Sequence, residues 1–256
     1  FQRLPRAVAL TEAGRLLYPG LQGGFTQIRQ AVAALDTQGN SRVLVISTPP
    51  GFTAKWLAPR LYRFLFAHPE IDARISSSLA FARFDVDGVD VAIRMGRLAD
   101  STLGSRHLGL NPWVVVASHD YLRQHGTPRT PKDLASHDAL IYSTVQGDAR
   151  WHFNGPQGRA ASVAVRGRLR SNNLSMLLSA ARAGFGVAAL PRYVAQESID
   201  SGALHTVLDA WHLPQQEVHA VYPSPKLVPA KVSQFIEWLQ GQFGPDWWAR
   251  PASPQK

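Results

Sequence analysis

The chain has 256 residues, 45% of them hydrophobic, and no cysteine; it can bury a sizeable core, while disulfides, a thiol nucleophile and Cys-ligated zinc are excluded. Its formal charge of +9 comes from 27 Lys and Arg against 18 Asp and Glu, with only five lysines, which fits a nucleic-acid partner and equally a solvated basic surface. The longest apolar runs, Val43 to Ile46 and Trp113 to Ala117, fall far short of the roughly 20 residues that span a bilayer, and residues 1 to 10 lack the order of a secretory signal, so a cytoplasmic protein without membrane association is expected.

Residues 1 to 10 alternate loosely and end at Thr11-Glu12-Ala13-Gly14, where Thr11 can cap a helix and Glu12 sits favourably against its dipole. Leu16, Leu17, Leu21, Phe25, Ile28, Val32 and Leu35 then recur at three- and four-residue spacing. This predicts a long helix with one apolar stripe in need of a partner surface. Pro19-Gly20 and Gly23-Gly24 interrupt it; an interior proline costs about 3 kcal/mol and a glycine about 1 against alanine, so a kink or weak first turn is expected. Thr37 to Ser41 reads as a polar linker and the domain boundary.

Beyond the linker the periodicity switches between buried-strand runs and amphipathic helices, the α/β pattern. Val43-Leu44-Val45-Ile46 suits a strand buried on both faces; Thr48-Pro49-Pro50-Gly51 breaks it, and Leu57, Leu61, Phe64 and Leu65 mark the next helix. Ile71 to Ile75 and Val89 to Ile93 read as further strands, the second ending at Arg94-Met95-Gly96. Trp113 to Ala117 opens a new unit, with Ser118 capping a short helix. A capped helix start at Thr130-Pro131-Lys132-Asp133 follows, then strands at Ala139 to Tyr142 and Trp151 to Phe153. Asn172-Asn173 precedes a helix through Leu174, Leu177, Leu178 and Ala181, which Gly184 ends before a strand at Gly186 to Leu190. Glu217 to Tyr222 is the last predicted strand. The final helix runs from Pro229 past Val232, Phe235, Ile236 and Leu239 to Gly244-Pro245, and residues 246 to 256 are expected to be loose.

The run Phe1-Gln2-Arg3-Leu4-Pro5-Arg6-Ala7-Val8-Ala9-Leu10-Thr11-Glu12-Ala13-Gly14 resembles the end of the LysR-family winged helix-turn-helix. There a basic wing leads through a Leu-Thr-x-Ala-Gly signature into the dimerisation helix. The resemblance reaches about Phe243 and includes Ala58-Pro59-Arg60-Leu61 with His68-Pro69, Val89 to Gly96, and Ala183-Gly184-Phe185-Gly186-Val187-Ala188-Ala189-Leu190-Pro191. The Ala-Ile-Arg-x-Gly form is similar to the branch containing glycine-cleavage and β-lactamase regulators.

What the resemblance implies is a two-subdomain, periplasmic-binding-protein-like (type II) α/β effector domain, preceded by a wing remnant (1 to 10) and a linker helix with hinge (11 to 41). Subdomain I would comprise residues 43 to 111 plus 219 to 245, and subdomain II residues 112 to 218. The first crossing falls near Asn111-Pro112-Trp113 and the return near Val218 to Tyr222. The implied function is DNA-binding transcription regulation by a homodimer or homotetramer that takes a small polar or anionic effector. Arg3 and Arg6 of the wing would contact phosphates of promoter DNA when the full winged helix is present. The three helices that come before the wing in the family, including the recognition helix, are absent from these residues. The chain is therefore expected to be chiefly the effector-binding and oligomerisation region, with at most weak, salt-sensitive DNA affinity.

Ligands in such folds sit outside the carboxyl ends of strands, where helix N-termini offer unpaired N–H groups. This selects Thr48, Pro49, Pro50 and Gly51, with Thr48 donating its hydroxyl and the rest shaping the loop; a plain turn and cap is the alternative. Asn172 and Asn173 hold the equivalent place in the second lobe, with helix capping as the alternative. Arg94 could hold a carboxylate bidentately or pair internally with Asp87 or Asp90. Ser78, Ser101, Thr102 and Ser143 offer hydroxyls for orienting an effector, or simple surface polarity. The nine histidines show no His-Glu-x-x-His spacing, and no Gly-x-Ser-x-Gly elbow or Walker loop is present, so no enzyme activity, metal or cofactor is expected. The alternative class is a solute-binding receptor, which shares the cleft fold but predicts a signal peptide.

Overall fold

The computed structural model describes residues 2–4, 7–9, 11–36, 42–79, 84–98, 102–143, 149–226 and 228–249. Strands β1 (Gln2–Leu4) and β2 (Ala7–Ala9) pair antiparallel with Arg3 opposite Val8; Arg6 lies outside the described residues. Helix α1 (Glu12–Asp36) begins where Thr11 Oγ1 accepts from the Gly14 N–H at 3.2 Å. It passes Pro19-Gly20 and Gly23-Gly24 as one element. A Cβ built at Gly20, Gly23 or Gly24 meets nothing within 4 Å, so these glycines are not required there by close packing. In the first half of its apolar stripe Leu16, Leu17, Leu21 and Phe25 are all exposed.

The first lobe opens with β3 (Val43–Thr48), which leads into α2 (Pro50–Phe52), a π turn (Thr53–Leu57) and α3 (Ala58–Ala67) without a break. Then follow β4 (Asp72–Ser77), α4 (Phe84–Asp87), β5 (Val91–Met95) and β6 (Gly104–Asn111). The chain crosses at Pro112 into β7 (Trp113–Ala117), and Ser118 Oγ caps α5 (His119–His125) by accepting from the Tyr121 N–H. After a 3-10 turn (Pro131–Ser136) come β8 (Asp138–Tyr142), a hairpin of β9 (Arg150–Asn154) and β10 (Ala160–Ala164), and β11 (Arg166–Ser171). Helix α6 (Leu174–Arg182) buries Leu174, Leu177, Leu178 and Ala181, the spacing read from the sequence, and Gly184 ends it at φ +79°. Then come β12 (Val187–Pro191), α7 (Arg192–Asp200) and β13 (His205–Val207). The second sheet has the order β11-β8-β12-β7-β13.

Strand β14 (Gln216–Tyr222) returns to the first sheet, whose order is β4-β3-β5-β14-β6, and α8 (Ala230–Gln242) packs on it. Gln216 already pairs with Asn111, so the return lies ahead of Gln216, earlier than the expected residues 218 to 222. Lys231 on α8 ties helix to sheet: its Nζ lies 2.9 Å from Asp90 and 2.6 Å from the Val43 carbonyl, while Asp90 also accepts from the Val45 N–H.

The tail expected to be loose from residue 246 is corrected for residues 246 to 249. Trp247 is buried. Its ring centroid lies 5.6 Å from Trp56 and 4.7 Å from Phe243, and its carbonyl accepts from Trp56 Nε1 at 2.6 Å. Arg60, itself buried, adds guanidinium bonds to the carbonyls of Trp56, Trp247 and Ala249. Burial, with Arg63 nearby, lowers the Arg60 pKa to about 10. Indole area left exposed in a solvated tail would forgo a large apolar transfer term, which decides the matter for packing.

Candidate functional site

The carboxyl end of β3 delivers the chain into a helical run from Pro50 to Ala67. Pro49 stands before it in extended conformation (φ −60°, ψ 140°) with no side-chain cap bond, and Pro50 takes the first helical position, where its missing N–H costs nothing. The first amides of a helix have no intrahelical partner, which leaves those of Gly51 and Phe52 for whatever lies in front. The π turn at Thr53–Leu57 sits directly behind, a geometry frequent at functional sites.

Thr48 is 0% exposed, and its hydroxyl is committed inside the loop: it donates to the Pro49 carbonyl at 3.2 Å and bonds Thr53 Oγ1 at 3.0 Å. For Thr48 to give its hydroxyl to a ligand, as expected, it would have to leave these bonds. Thr53, half-buried, likewise donates its hydroxyl to the Pro49 carbonyl at 3.1 Å, and its Oγ1 lies 3.2 Å from Oγ of the exposed Ser77. Ser77 stands opposite Thr48 in the parallel β3–β4 register, a signal available only once that pairing is known. Ser78 contributes through its backbone, its N–H donating to the Thr48 carbonyl at 3.0 Å.

The second lobe meets this loop at the start of α6. Asn173 Oδ1 accepts from the N–H groups of Ser175 (2.9 Å) and Met176 (3.2 Å), and its own N–H donates to Ser171 Oγ. Asn173 is thus a helix cap, and Asn172 beside it is exposed. Ser143 joins this wall, exposed, with its N–H donating to the Ser171 carbonyl. The walls touch at Gly51, where a Cβ would lie 3.3 Å from Leu174 Cδ1 and 3.8 Å from Tyr193 Oη. Lys55 and Glu197 form a second bridge at 3.3 Å.

Tyr193, on α7 of the second lobe, reaches Phe52 and Met95 of the first. The Tyr193 hydroxyl lies 3.9 Å from Met95 Sδ, and burial, followed by the proximity of Tyr142, pushes its pKa well above the ordinary value. Gln216 Oε1 accepts from Trp113 Nε1 at 2.9 Å and from Asn111 Nδ2 at 3.4 Å. Asn111 is fully buried, and its Oδ1 has no hydrogen-bond partner. Neither Tyr193 nor Gln216 stood out in the sequence, because their roles depend on which strands cross.

Two other candidates lie apart from this cleft. Arg94 shares the sheet face of Ser47, opposite to that of Thr48 and Ser77, as the β3–β5 register requires. Its guanidinium donates to the Ile93 carbonyl (2.9 Å) and to Ser47 Oγ (3.2 Å), and burial lowers its pKa. Of the two acids expected as its internal partners, Asp87 and Asp90, Asp90 binds Lys231. Thr102 is exposed just before the Gly104 end of β6, whereas the cleft lies at the Asn111 end. Seven residues of strand separate the two ends, about 23 Å, so Thr102 is removed from the cleft; Ser101 lies outside the described residues. Among the described residues no group of three or more His, Cys, Asp or Glu could hold a metal ion, and no helix is long and apolar enough to cross a membrane.

Residues 37–244 match the LysR substrate binding domain. The chain belongs to the LysR family of transcriptional regulators. Its sequence is 31% identical over 243 residues to the HTH-type transcriptional activator AaeR of Escherichia coli, covering 94% of this chain and 78% of that protein. The full-length Vibrio cholerae virulence activator AphB, a LysR-type regulator, superposes with a TM-score of 0.72 at 26% identity, covering 95% of this chain and 83% of that one. The regulatory domain of CrgA from Neisseria meningitidis gives 0.71 at 28% identity, covering 79% and 98%. LysR regulatory domains have the periplasmic-binding-protein-like type II fold, and the two sheets of this chain match it. LysR regulators bind small-molecule effectors and DNA and act as oligomers. The solute-binding receptor weighed above finds no support among these comparisons.

Proposed function

We propose that this LysR regulator senses a small polar or anionic effector in the cleft between its lobes, and that occupancy resets how the lobes sit. The observation that carries the reading is the Thr53–Ser77 hydroxyl pair at the start of the Pro50 helical run, facing the Asn172–Asn173 wall across the Gly51–Leu174 contact. A carboxylate or similar group there would take the Gly51 and Phe52 amides and the two hydroxyls, the kind of donor set that charge-assisted bonds favour. Pro49, Pro50 and Thr48 shape the loop, and Ser78 and Ser143 brace the two walls.

The response follows from two-state linkage: a ligand that binds one lobe arrangement better shifts the population toward it. In a homodimer or homotetramer associated through α1, that shift would alter how paired winged helices meet promoter DNA, Arg3 and Arg6 contributing phosphate contacts. The reading is one of binding without catalysis or cofactor, in the cytoplasm where the chromosome is.

A thermal-shift screen of this chain against small carboxylates, amino acids and phenolic acids tests it. Stabilisation by one such compound, lost in Thr53→Val and Ser77→Ala, is the expected result. A screen in which no polar compound raises the melting temperature contradicts the reading.

A further inference from the structure

The charge of the chain is not evenly laid out. Residues 149 to 196 contain seven arginines, no lysine and neither Asp nor Glu, so one stretch of the second lobe supplies a net +7 of the total +9. Its densest part is β11, where Arg166, Arg168 and Arg170 alternate with Gly167 and Leu169. β11 is an edge strand of the second sheet, pairing only with β8 there. All three arginines are exposed, and among the described residues none of their side chains has a hydrogen bond or ion pair. Asp138, opposite Arg166 in register, stays outside ion-pair distance. Arg150 begins β9 opposite Ala164, two residues from Arg166, and its guanidinium donates to Ser162 Oγ at 3.4 Å.

Unpaired arginines are costly to crowd, because like charges on one strand repel. Positive charge on an edge also discourages strand addition, but one charge suffices for that. Three arginines at alternate positions of one short strand, whose backbones a regular strand would space about 6.6 Å apart, offer planar, permanently charged forks suited to phosphate oxygens. The β-bulge between Arg166 and Leu169 turns the row, so the forks spread over a curved surface rather than one flat face. No exposed aromatic residue lies within β11 on which an unstacked base could rest, which favours a duplex backbone over single strands. An acidic protein partner would require an apolar anchor among the charges, the usual make-up of an interface core, and β11 exposes none.

We propose that the β11 edge of the effector domain is an auxiliary, sequence-independent contact for the phosphate backbone of duplex DNA. A LysR regulator holds DNA by its winged helices, so flanking duplex is present at high effective concentration and a weak contact suffices. The row would track DNA that bends back along the effector domain.

Fluorescence anisotropy of the full 256-residue chain with a labelled duplex of arbitrary sequence tests this, comparing the parent with the Arg166→Gln, Arg168→Gln, Arg170→Gln variant. Three lost phosphate contacts should reduce the slope of log K against log salt by about 2.7, so a fourfold rise in salt weakens the parent about 40-fold more than the variant. Circular dichroism and an unchanged melting temperature establish that the variant is folded, and the Arg→Lys version of the same triple should restore most of the slope. The difference should persist in an Arg3→Gln, Arg6→Gln background. The proposal is overturned if the parent does not bind the duplex, or if parent and variant share one affinity and slope, which leaves the wing alone responsible. It is equally overturned if a poly-glutamate peptide binds the parent as tightly as DNA and loses affinity in parallel.

Discussion

The indole Nε1 of Trp247 donates to the backbone carbonyl of Leu110 over 2.8 Å, joining the end of the chain to the strand by which it leaves the first lobe. The same ring lies 6.4 Å from Phe52 on the cleft loop and 5.7 Å from Tyr193 in the second lobe. One side chain therefore touches the loop, the crossing and the opposing wall. Trp247→Ala should destabilise by about 3–5 kcal/mol, the usual cost of removing a buried aromatic, visible in a urea melt. A loss within experimental error would show that this contact contributes nothing.

Gly51 sets how closely the lobes approach. Its neighbour Leu174 leaves only 3.3 Å for a Cβ, tight for a methyl and prohibitive for a larger group. Gly51→Val should cost about 1–3 kcal/mol by overpacking, and Leu174→Ala in the same chain should recover part of it. Additive losses in a double-mutant cycle would mean that the two residues do not press on one another.

The first half of the α1 stripe is uncovered among the described residues, with Leu16 82% and Phe25 62% exposed. Self-association buries such a surface. Leu21→Glu with Phe25→Glu should shift the chain to monomer in sedimentation velocity while the melting temperature of the lobes stays within a degree or two. Unchanged sedimentation would place the association elsewhere.

His137 is buried beneath Tyr121, whose hydroxyl lies 3.3 Å from its Nδ1. Burial first, then His125, lowers its pKa from 6.5, against the opposing pull of Asp133 and Asp138. The folded state thus prefers the neutral ring. Its contribution to stability is fully present above 6.5 and is lost as the pH falls toward the depressed folded value. Melts across this window should show stability falling with acid, and His137→Gln should flatten the slope. A slope identical in both proteins would sink the assignment.

Much of the architecture is legible in the sequence where apolar periodicity is strong. Val43 to Ile46, the Asn173-to-Gly184 helix and the Val232–Leu239 face all announce themselves because burial selects their residues. β11 does not, because an edge strand of alternating arginine needs no apolar run. The site is less legible than the fold. Thr48 follows a strand as a ligand-binding residue should, yet the Ser77 that stands beside it across the sheet is distant in sequence. Thr102 looks close to the first crossing in sequence, and only the run of β6 carries it to the far end of the sheet. Trp247 reads as part of a proline-rich tail, and its partners Trp56 and Leu110 lie more than a hundred residues away.

The central claim is that the cleft hydroxyls hold the effector. Isothermal titration of a compound found in the screen, into the parent and into the Thr53→Val, Ser77→Ala chain, tests it most directly. Two lost hydrogen bonds to a charged group, each worth about 1.5–3 kcal/mol, should weaken binding at least about 100-fold, with both proteins melting at similar temperatures. Equal affinity for the two chains would contradict the account and move the effector away from the start of the Pro50 helical run.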